Sequence, residues 1–321
     1  MSDLLIPRDR ANLLADVAEM YYIAGKDQSA IAEEIGVTRS MVSRMLTEAR
    51  SRGIVEIRII RALNAEHELE EEIKHRFGVN SVFVVSAYSP EPERLLGNLG
   101  RAGASIFKQY LQPGLVVGLA WGTTISATVD AIEPGQVISC RVVQLVGALG
   151  ARSHVYDGHA LVQRLAEKLG GESYFLNAPY QCISSEIARA IMETQGIKEV
   201  VELGKQVQTA LLGIGTTEIP YSSYYLAGYV GIEQIDRLRN AGAVGDIAGN
   251  HFDINGKVFN DEFSSRLVNI RVEDLIKIPV RIGVAGGPGK VKPIIGALRS
   301  KLVNILVTDS LTARSILQFQ N

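Results

Sequence analysis

The chain has 321 residues, 46% of them hydrophobic, a formal net charge of -2 and two cysteines, Cys140 and Cys182. That length gives room for two domains and a large core, and the composition argues against disorder. Two cysteines without C-x-x-C spacing argue against a disulfide framework, and no apolar run approaches the roughly 18 to 20 residues of a membrane span. The near-neutral total conceals a local asymmetry: between Gly36 and Arg61, Arg39, Arg44, Arg50, Arg52, Arg58 and Arg61 stand against Glu48 and Glu56. Such a basic face suits a nucleic-acid partner. The opening MSDLLIPRDR carries Asp3 and Arg8 where a secretory signal would have a basic segment and an apolar core. A protein of the reducing cytoplasm is therefore expected.

In chain order, residues 8–24 read as a helix with Leu13, Leu14, Val17, Ala18 and Tyr21 on one side and Gly25 as its stop. DQSAIAEEIG gives a short helix capped by Asp27, with Ile31, Ala32 and Ile35 inward, followed by a turn at Gly36-Val37. Thr38 caps a third helix, TRSMVSRMLTEARSRG, which ends at Gly53, and the β-rich run IVEIRII after it resembles a wing strand. Residues 62–78 space Leu69, Ile73 and Phe77 four apart in a charged background. This predicts an amphipathic connecting helix suited to packing against a partner copy.

From Ser81 the texture changes. SVFVVSA (81–87), LVVGLAW (115–121), CRVVQLV (140–146), SYFLN (173–177), QTALLGIG (208–215), VRIGVAG (280–286) and VNILVTD (303–309) are strand candidates separated by helical stretches. Nearly continuous Val/Ile/Leu runs in that alternation predict an α/β domain with a parallel sheet covered on both faces. Its ligands belong at the carboxyl ends of the strands. The expected domains are a helix-turn-helix over 1–61, the connecting helix over 62–78 and an α/β unit over 79–321.

The segment from Gln28 to Thr47 carries the DNA-binding signal. Ala32 is small where two helices touch, Gly36 stands at the turn, and Ile31, Ile35, Val37, Val42 and Met45 occupy the offsets that lock the crossing. Left exposed on the third helix are Thr38, Arg39, Ser40, Ser43, Arg44 and Thr47. Short hydroxyls and arginines are the side chains that read base edges and hold phosphates in a major groove of double-stranded DNA. The plainer alternative is a three-helix packing domain with a solvated arginine face.

Three glycine-punctuated corners suggest an anion seat. In GLAWGTTIS (118–126) a buried strand halts at Gly122, and the N–H groups of Gly122, Thr123 and Thr124 with the threonine hydroxyls suit a phosphate. A threonine-capped strand-to-helix turn explains the same residues equally well. GIGTTEIP (213–220) echoes the pattern with Gly215 and Thr216. GVAGGPGKVKPI (283–294) departs from a Walker A loop, whose first Gly would fall on Val284 and whose Ser or Thr is replaced by Val291. Nucleotide hydrolysis is not expected. Gly286 and Gly287, with Lys290 as a point charge, still suit a sugar phosphate.

In GAVGDIAGNHFDINGKV (242–258), Asp246, Asn250, His251 and Asp253 fall close together. Asn255-Gly256 reads as a turn between short strands, which leaves Asp246 as the better ligand for sugar hydroxyls. His154, His159 and Asp157 lack the further ligands that a metal needs, and no cofactor is expected. Trp121 reads as pocket wall or core, and Cys182 has no recognisable base beside it.

With these residues assembled, the chain resembles the SorC family of bacterial sugar-responsive transcription regulators. The likeness rests on QSAIAEEIGVTRSMVSRML, GLAWGTT, GDIAGNHFDINGKV and GVAGGPGKVKPIIGALRSKLVNILVTDSLTARSIL, and covers nearly the whole length. It implies a winged helix-turn-helix followed by a Rossmann-like effector domain related to glucosamine-phosphate deaminase, ribose-phosphate isomerase and CoA transferases. It also implies a phosphorylated sugar effector and a homo-oligomer, dimer or tetramer, acting on palindromic operators of a carbohydrate operon. Carried onto this chain, the effector's phosphate would sit against Gly122, Thr123 and Thr124 or near Gly286, Gly287 and Lys290, with Asp246 facing the sugar. The rival class is an isomerase- or deaminase-like enzyme bearing a DNA-binding head, since a fold does not settle function.

Overall fold

The computed structural model describes residues 8–55, 66–86, 91–133, 135, 137–148, 157–226 and 230–320. The chain divides into two compact units, Met1–Ala62 and Leu63–Asn321.

The smaller unit contains α1 (Arg8–Tyr22), α2 (Gln28–Glu34) and α3 (Arg39–Ser51). Side-chain caps set the helix starts. Asp27 Oδ1 accepts from the N–H groups of Ser29 and Ala30 at 2.8 and 2.9 Å, and Thr38 Oγ1 accepts from that of Met41 at 3.3 Å. Gly36, at φ +70°, supplies the left-handed backbone that reverses the chain between α2 and α3. Leu14, Val17, Ala18, Ile31, Ala32, Val42, Met45, Leu46 and Ala49 close the core. Leu13, expected inside, is 37% exposed. It lies a hundred-degree step from Leu14, at the margin of a stripe centred on Leu14, Val17 and Ala18. Ile54 and Val55 pack on this core, whereas residues 56–60 of the expected wing strand lie outside the described residues.

The larger unit is built on a seven-stranded parallel sheet of order β1-β9-β8-β5-β2-β3-β4. Its strands are β1 (Ser81–Val85), β2 (Val116–Leu119), β3 (Arg141–Gln144), β4 (Glu172–Tyr174), β5 (Thr209–Gly213), β8 (Val280–Val284) and β9 (Ile305–Asp309). Every apolar run singled out in the sequence contributes one of them. Most strands stop short of the runs that predicted them, because the last residues of those runs leave the ladder to form loops. β6 (Ala243–Ile247) and β7 (Asn250–Asp253) pair antiparallel with each other, outside the sheet. Burial on both faces is complete at β2 and β9, where no strand residue is exposed.

Two helices on one face approach very closely. α5 (Pro92–Gln109) packs on α6 (Thr123–Ala131) at Gly100, where a Cβ would lie 2.5 Å from the carbonyl oxygen of Ala127. The contact fixes the start of α6 relative to the sheet.

α4 (His67–Phe77), expected as a connector with an unpartnered face, is covered within the larger unit. Ile73 is fully buried and Leu69 and Phe77 partly so, against β1 and the C-terminal helix Ser310–Gln318. Glu70 Oε1 accepts from the N–H of Val84 at 2.8 Å, and Arg76 donates to the carbonyls of Leu317 and Phe319 at 2.6 and 2.9 Å. The face assigned to a partner copy is therefore occupied by this chain's own sheet edge and last helix.

Leu211, fully buried in the central strand β5, gives a direct check on this core. Leu211→Ala is expected to cost about 2–5 kcal/mol in urea unfolding followed by far-UV circular dichroism. A loss below about 1 kcal/mol would mean that β5 is not central.

Candidate functional site

The strand order reverses once. From β2 the sheet proceeds to β3 and β4 on one side, and from β5 to β8 and β9 on the other. A switch point between neighbouring parallel strands opens a crevice at their carboxyl ends. A cleft of about 40 Å³ lies there, lined by Trp121, Gly122, Thr123 and Thr124 after β2, Ile214 and Gly215 after β5, and Tyr224, Asp246, Ala248 and Lys290.

Gly122, at φ +136°, turns the end of β2 into α6, and no side chain caps that helix. The first-turn N–H groups of a helix have no intrahelical acceptors, and here Thr123 and Thr124 carry theirs at the cleft edge. Lys290 enters from a 3-10 turn, Pro288–Lys290, that follows β8. Its Nζ donates to the carbonyl of Ile214 at 2.7 Å. Burial pulls the Lys290 pKa down to about 8, while the neighbouring Asp246 carboxylate works in the opposite direction.

Asp246, 6% exposed, stands on β6 with Oδ2 accepting from the Tyr224 hydroxyl at 3.2 Å and from the N–H of Gly249 at 3.1 Å. Its backbone carbonyl accepts from the N–H of Gly215 at 2.8 Å. Only glycine fits at 215, since a Cβ there would lie 1.8 Å from Asp246 Oδ1. Tyr224 meets Trp121 edge-on with ring centres 4.5 Å apart and lies 5.4 Å from Tyr180. Burial, with the Asp246 charge, holds both phenols well above their ordinary range, so each remains a protonated donor. His251, the cross-strand neighbour of Asp246, is 4% exposed, and burial lowers its pKa and favours the neutral ring. One cation and free backbone donors on one side, with a carboxylate and aromatic rings on the other, can hold a molecule with an anionic head and hydroxyl groups.

The structure gathers Gly122, Thr123, Thr124, Gly215, Asp246 and Lys290 from the expected set and separates the rest. Thr216 is 4% exposed and lines an adjoining hollow with Tyr180 and His251, its Oγ1 accepting from the N–H of Glu218 at 3.1 Å. Thr217 donates its hydroxyl to the carbonyl of Ala243 at 2.8 Å. The echoed Thr-Thr pair thus runs along β6 and starts no helix. Gly286 and Gly287 do not form the expected anion cradle in the cleft. The N–H of Gly287 donates to Asp309 Oδ2 at 3.0 Å and Thr312 Oγ1 at 2.8 Å, and Gly286 packs so tightly that a Cβ would lie 2.3 Å from Asp309 Oδ2. Of this loop, the lysine alone reaches the cleft.

The Asn255-Gly256 turn is present, with Asp253 Oδ1 accepting from the N–H groups of Asn255 and Lys257 at 2.9 and 2.8 Å. Beyond it the chain makes a single bridge, Val258 to Phe252, in place of a second strand. Trp121 is the expected wall. Tyr180 and Tyr224 were not anticipated, and no local spacing marks them. Cys182 is buried in a setting that pushes its thiol up, which does not favour a nucleophile.

In the smaller unit, Thr38, Arg39, Ser40, Ser43, Arg44 and Thr47 are all exposed. Ser40, Ser43, Arg44 and Thr47 share one face of α3 by their spacing, opposite the buried Val42, Met45, Leu46 and Ala49. Met41, 46% exposed, adds an apolar group that the sequence reading omitted.

A helix-turn-helix unit beside an α/β unit with a switch-point cleft defines a class of two-part protein, one part shaped to read DNA and the other to hold a small molecule. Comparison with known proteins narrows the class. Residues 61–318 match the family described as "Putative sugar-binding domain". The chain is 30% identical over 310 residues to the deoxyribonucleoside regulator of Bacillus subtilis (strain 168), covering 96% of this chain and 98% of that one. It is 31% identical over 314 residues to the sorbitol operon regulator of Klebsiella pneumoniae, covering 97% and 99%. The crystal structure of the full-length sorbitol operon regulator SorC from Klebsiella pneumoniae matches with a TM-score of 0.75 at 30% identity, over 95% of this chain and 98% of that one. The chain belongs to the SorC family of transcriptional regulators. Among the described residues, no helix is long and apolar enough to cross a membrane.

The depressed Lys290 pKa has a stability consequence. Between about 8 in the fold and 10.5 in an open chain, the unfolded state binds more protons, so the Lys290 contribution makes stability rise with pH across that window. Urea midpoints of the wild-type chain should therefore gain on those of Lys290→Met as pH is raised from about 7.5 to 10. A constant gap would show that the amine is not desolvated.

Proposed function

We propose that the chain is a DNA-binding transcriptional regulator of a carbohydrate catabolic operon, controlled by a phosphorylated sugar held in the switch-point cleft. The observation that carries this reading is the convergence of the uncapped start of α6 and the Lys290 ammonium on one crevice, with Asp246 on its other wall. The phosphate takes the N–H groups of Gly122, Thr123 and Thr124 together with Lys290, and Asp246 accepts from sugar hydroxyls. A cleft of about 40 Å³ must widen to admit such a ligand, and Tyr224, hydrogen-bonded to Asp246, is the side chain that has to yield. The relatives named for deoxyribonucleosides and sorbitol support a sugar-derived effector.

To the same reading belong a wing strand after α3, a larger unit related to sugar-phosphate isomerases, deaminases and CoA transferases, a cytoplasmic location, and a dimer or tetramer on palindromic DNA. Thr38, Arg39, Ser40, Ser43, Arg44 and Thr47 meet the major groove. The chain acts as a sensor and not as an enzyme. In support, both hydrogen bonds to Asp246 Oδ2 come from the protein's own groups, Tyr224 and Gly249, a poor posture for a general base.

Three measurements test the reading. On promoter-sized duplex DNA, Arg39→Ala combined with Arg44→Ala should weaken binding by at least about tenfold, the equivalent of about 1.4 kcal/mol, and an unchanged affinity removes α3 from the interface. Ribose 5-phosphate, deoxyribose 5-phosphate or glucosamine 6-phosphate should raise the melting temperature of the wild-type chain and leave Lys290→Gln unmoved. The absence of any shift contradicts the effector site. Turnover of any of the three at about one per second or more would restore the enzyme class.

A further inference from the structure

The larger unit holds a second cavity, of about 190 Å³, at the carboxyl end of β3, with Gln144, Met192, Asn269 and Arg271 among its walls. Gln144 Nε2 donates to the carbonyl of Val146 at 2.7 Å, and Asn269 Nδ2 donates to that of Ala248 at 2.6 Å. These bonds fix the orientation of each amide and leave the oxygens as the ends that need donors. Gln144 is 3% exposed and Asn269 is 4% exposed, and neither Gln144 Oε1 nor Asn269 Oδ1 has a hydrogen-bond partner among the described residues. Buried acceptors left without donors are uncommon in folded proteins and point to an absent partner.

Arg271 supplies the charge. It precedes the short helix Val272–Leu275, is half-buried, and directs its guanidinium to the carbonyl of Ser264 at 3.1 Å and to Met192 Sδ at 3.9 Å. No carboxylate lies within ion-pair distance of it among the described residues. The acids on the cavity wall are already engaged: Glu193 with Lys198 at 2.6 Å, Glu202 with Lys205 at 2.6 Å, and Asp274 with Lys277 at 3.0 Å. Water alone would satisfy the two amides and leave the guanidinium without a counter-charge.

We propose that this cavity is a second ligand site, separate from the switch-point cleft, that takes a small polyhydroxylated anion, either a sugar phosphate or a sugar acid. Arg271 holds the anionic group, while Gln144 and Asn269 accept from hydroxyls. The two sites are joined through Asn269. Its amide anchors Ala248, a non-glycine residue at φ +50° in the turn between β6 and β7, and the next residue, Gly249, donates its N–H to Asp246. A ligand that engages Asn269 therefore acts on the hairpin that carries the cleft's carboxylate.

Methionine gives a local reporter. The chain has five methionines, and Met1, Met20, Met41 and Met45 fall in the smaller unit, which leaves Met192 as the reporter of the larger one. The full-length protein is labelled at methionine methyl carbons and titrated, by NMR, with inorganic phosphate, ribose 5-phosphate and gluconate. A saturable shift of the Met192 methyl with ribose 5-phosphate or gluconate is expected, and which of them acts distinguishes phosphate from carboxylate. Arg271→Gln should weaken it at least about tenfold, Arg271→Lys should restore part of it, and Lys290→Gln should leave it intact. If Arg271→Gln does not fold, Gln144→Leu, which removes one acceptor at similar volume, should weaken the same titration.

A Met192 methyl unmoved by all three compounds overturns the proposal. So does a shift that disappears in Lys290→Gln and survives in Arg271→Gln, which would be a signal relayed from the cleft. Inorganic phosphate acting as strongly as the hydroxylated anions would show an adventitious ion only.

Discussion

Parallel strands need crossovers, and crossovers that wind in one direction cover the sheet edge as they go. Where winding changes direction, two adjacent strands send their connections to opposite sides and nothing closes the gap above their carboxyl ends. Here the change falls between β2 and β5. The cleft, the start of α6, the glycine at 215 and the lysine after β8 all take their positions from that reversal. The close seating of α6 on α5 at Gly100 keeps its first turn at the rim of the gap.

What the gap contains is set by electrostatics more than by shape. A lysine amine held on a backbone carbonyl in a half-buried crevice loses part of its hydration, and burial lowers its pKa to about 8 against the pull of Asp246. The empty site thus keeps a poorly compensated cation facing helix N–H groups that also favour negative charge. An anionic ligand relieves both at once. The same carboxylate that tempers Lys290 is tied to Tyr224 and Gly249, so filling the cleft bears on the β6–β7 hairpin. A disturbance there has a physical route outward, because Asn269 and Asn250 both anchor the hairpin carbonyls.

Much of the architecture was legible in the sequence for simple reasons. A strand buried on both faces must be apolar throughout, so seven such runs announced seven strands, and Asp27, Gly36 and Thr38 marked helix boundaries by local chemistry. Legibility failed where a residue's partner is distant in the chain. Nothing near Leu69 or Ile73 shows that the C-terminal helix covers them. Gly287 in a glycine-rich loop suggested an anion cradle, yet Asp309 and Thr312 take its N–H. Gly-Thr-Thr after β5 repeats the letters found after β2 but not the outcome, since the chain there bonds to β6 before it can start a helix. Tyr180 and Tyr224 reach the site from loops without periodicity. Gly122, Thr123, Thr124, Asp246 and Lys290 were visible because strand ends and glycine turns are local.

The central claim is that the cleft and α3 act on a common equilibrium, so that a ligand in one changes the grip of the other. Linkage requires that effector and operator alter each other's affinity by one and the same factor. The direct measurement is a closed cycle by calorimetry: the affinity of the sugar phosphate that stabilises the fold, with the protein free and saturated with operator duplex, and the operator affinity with and without that sugar phosphate. The account predicts two equal ratios of about 5- to 150-fold. A sugar-phosphate affinity unchanged by operator DNA would contradict it.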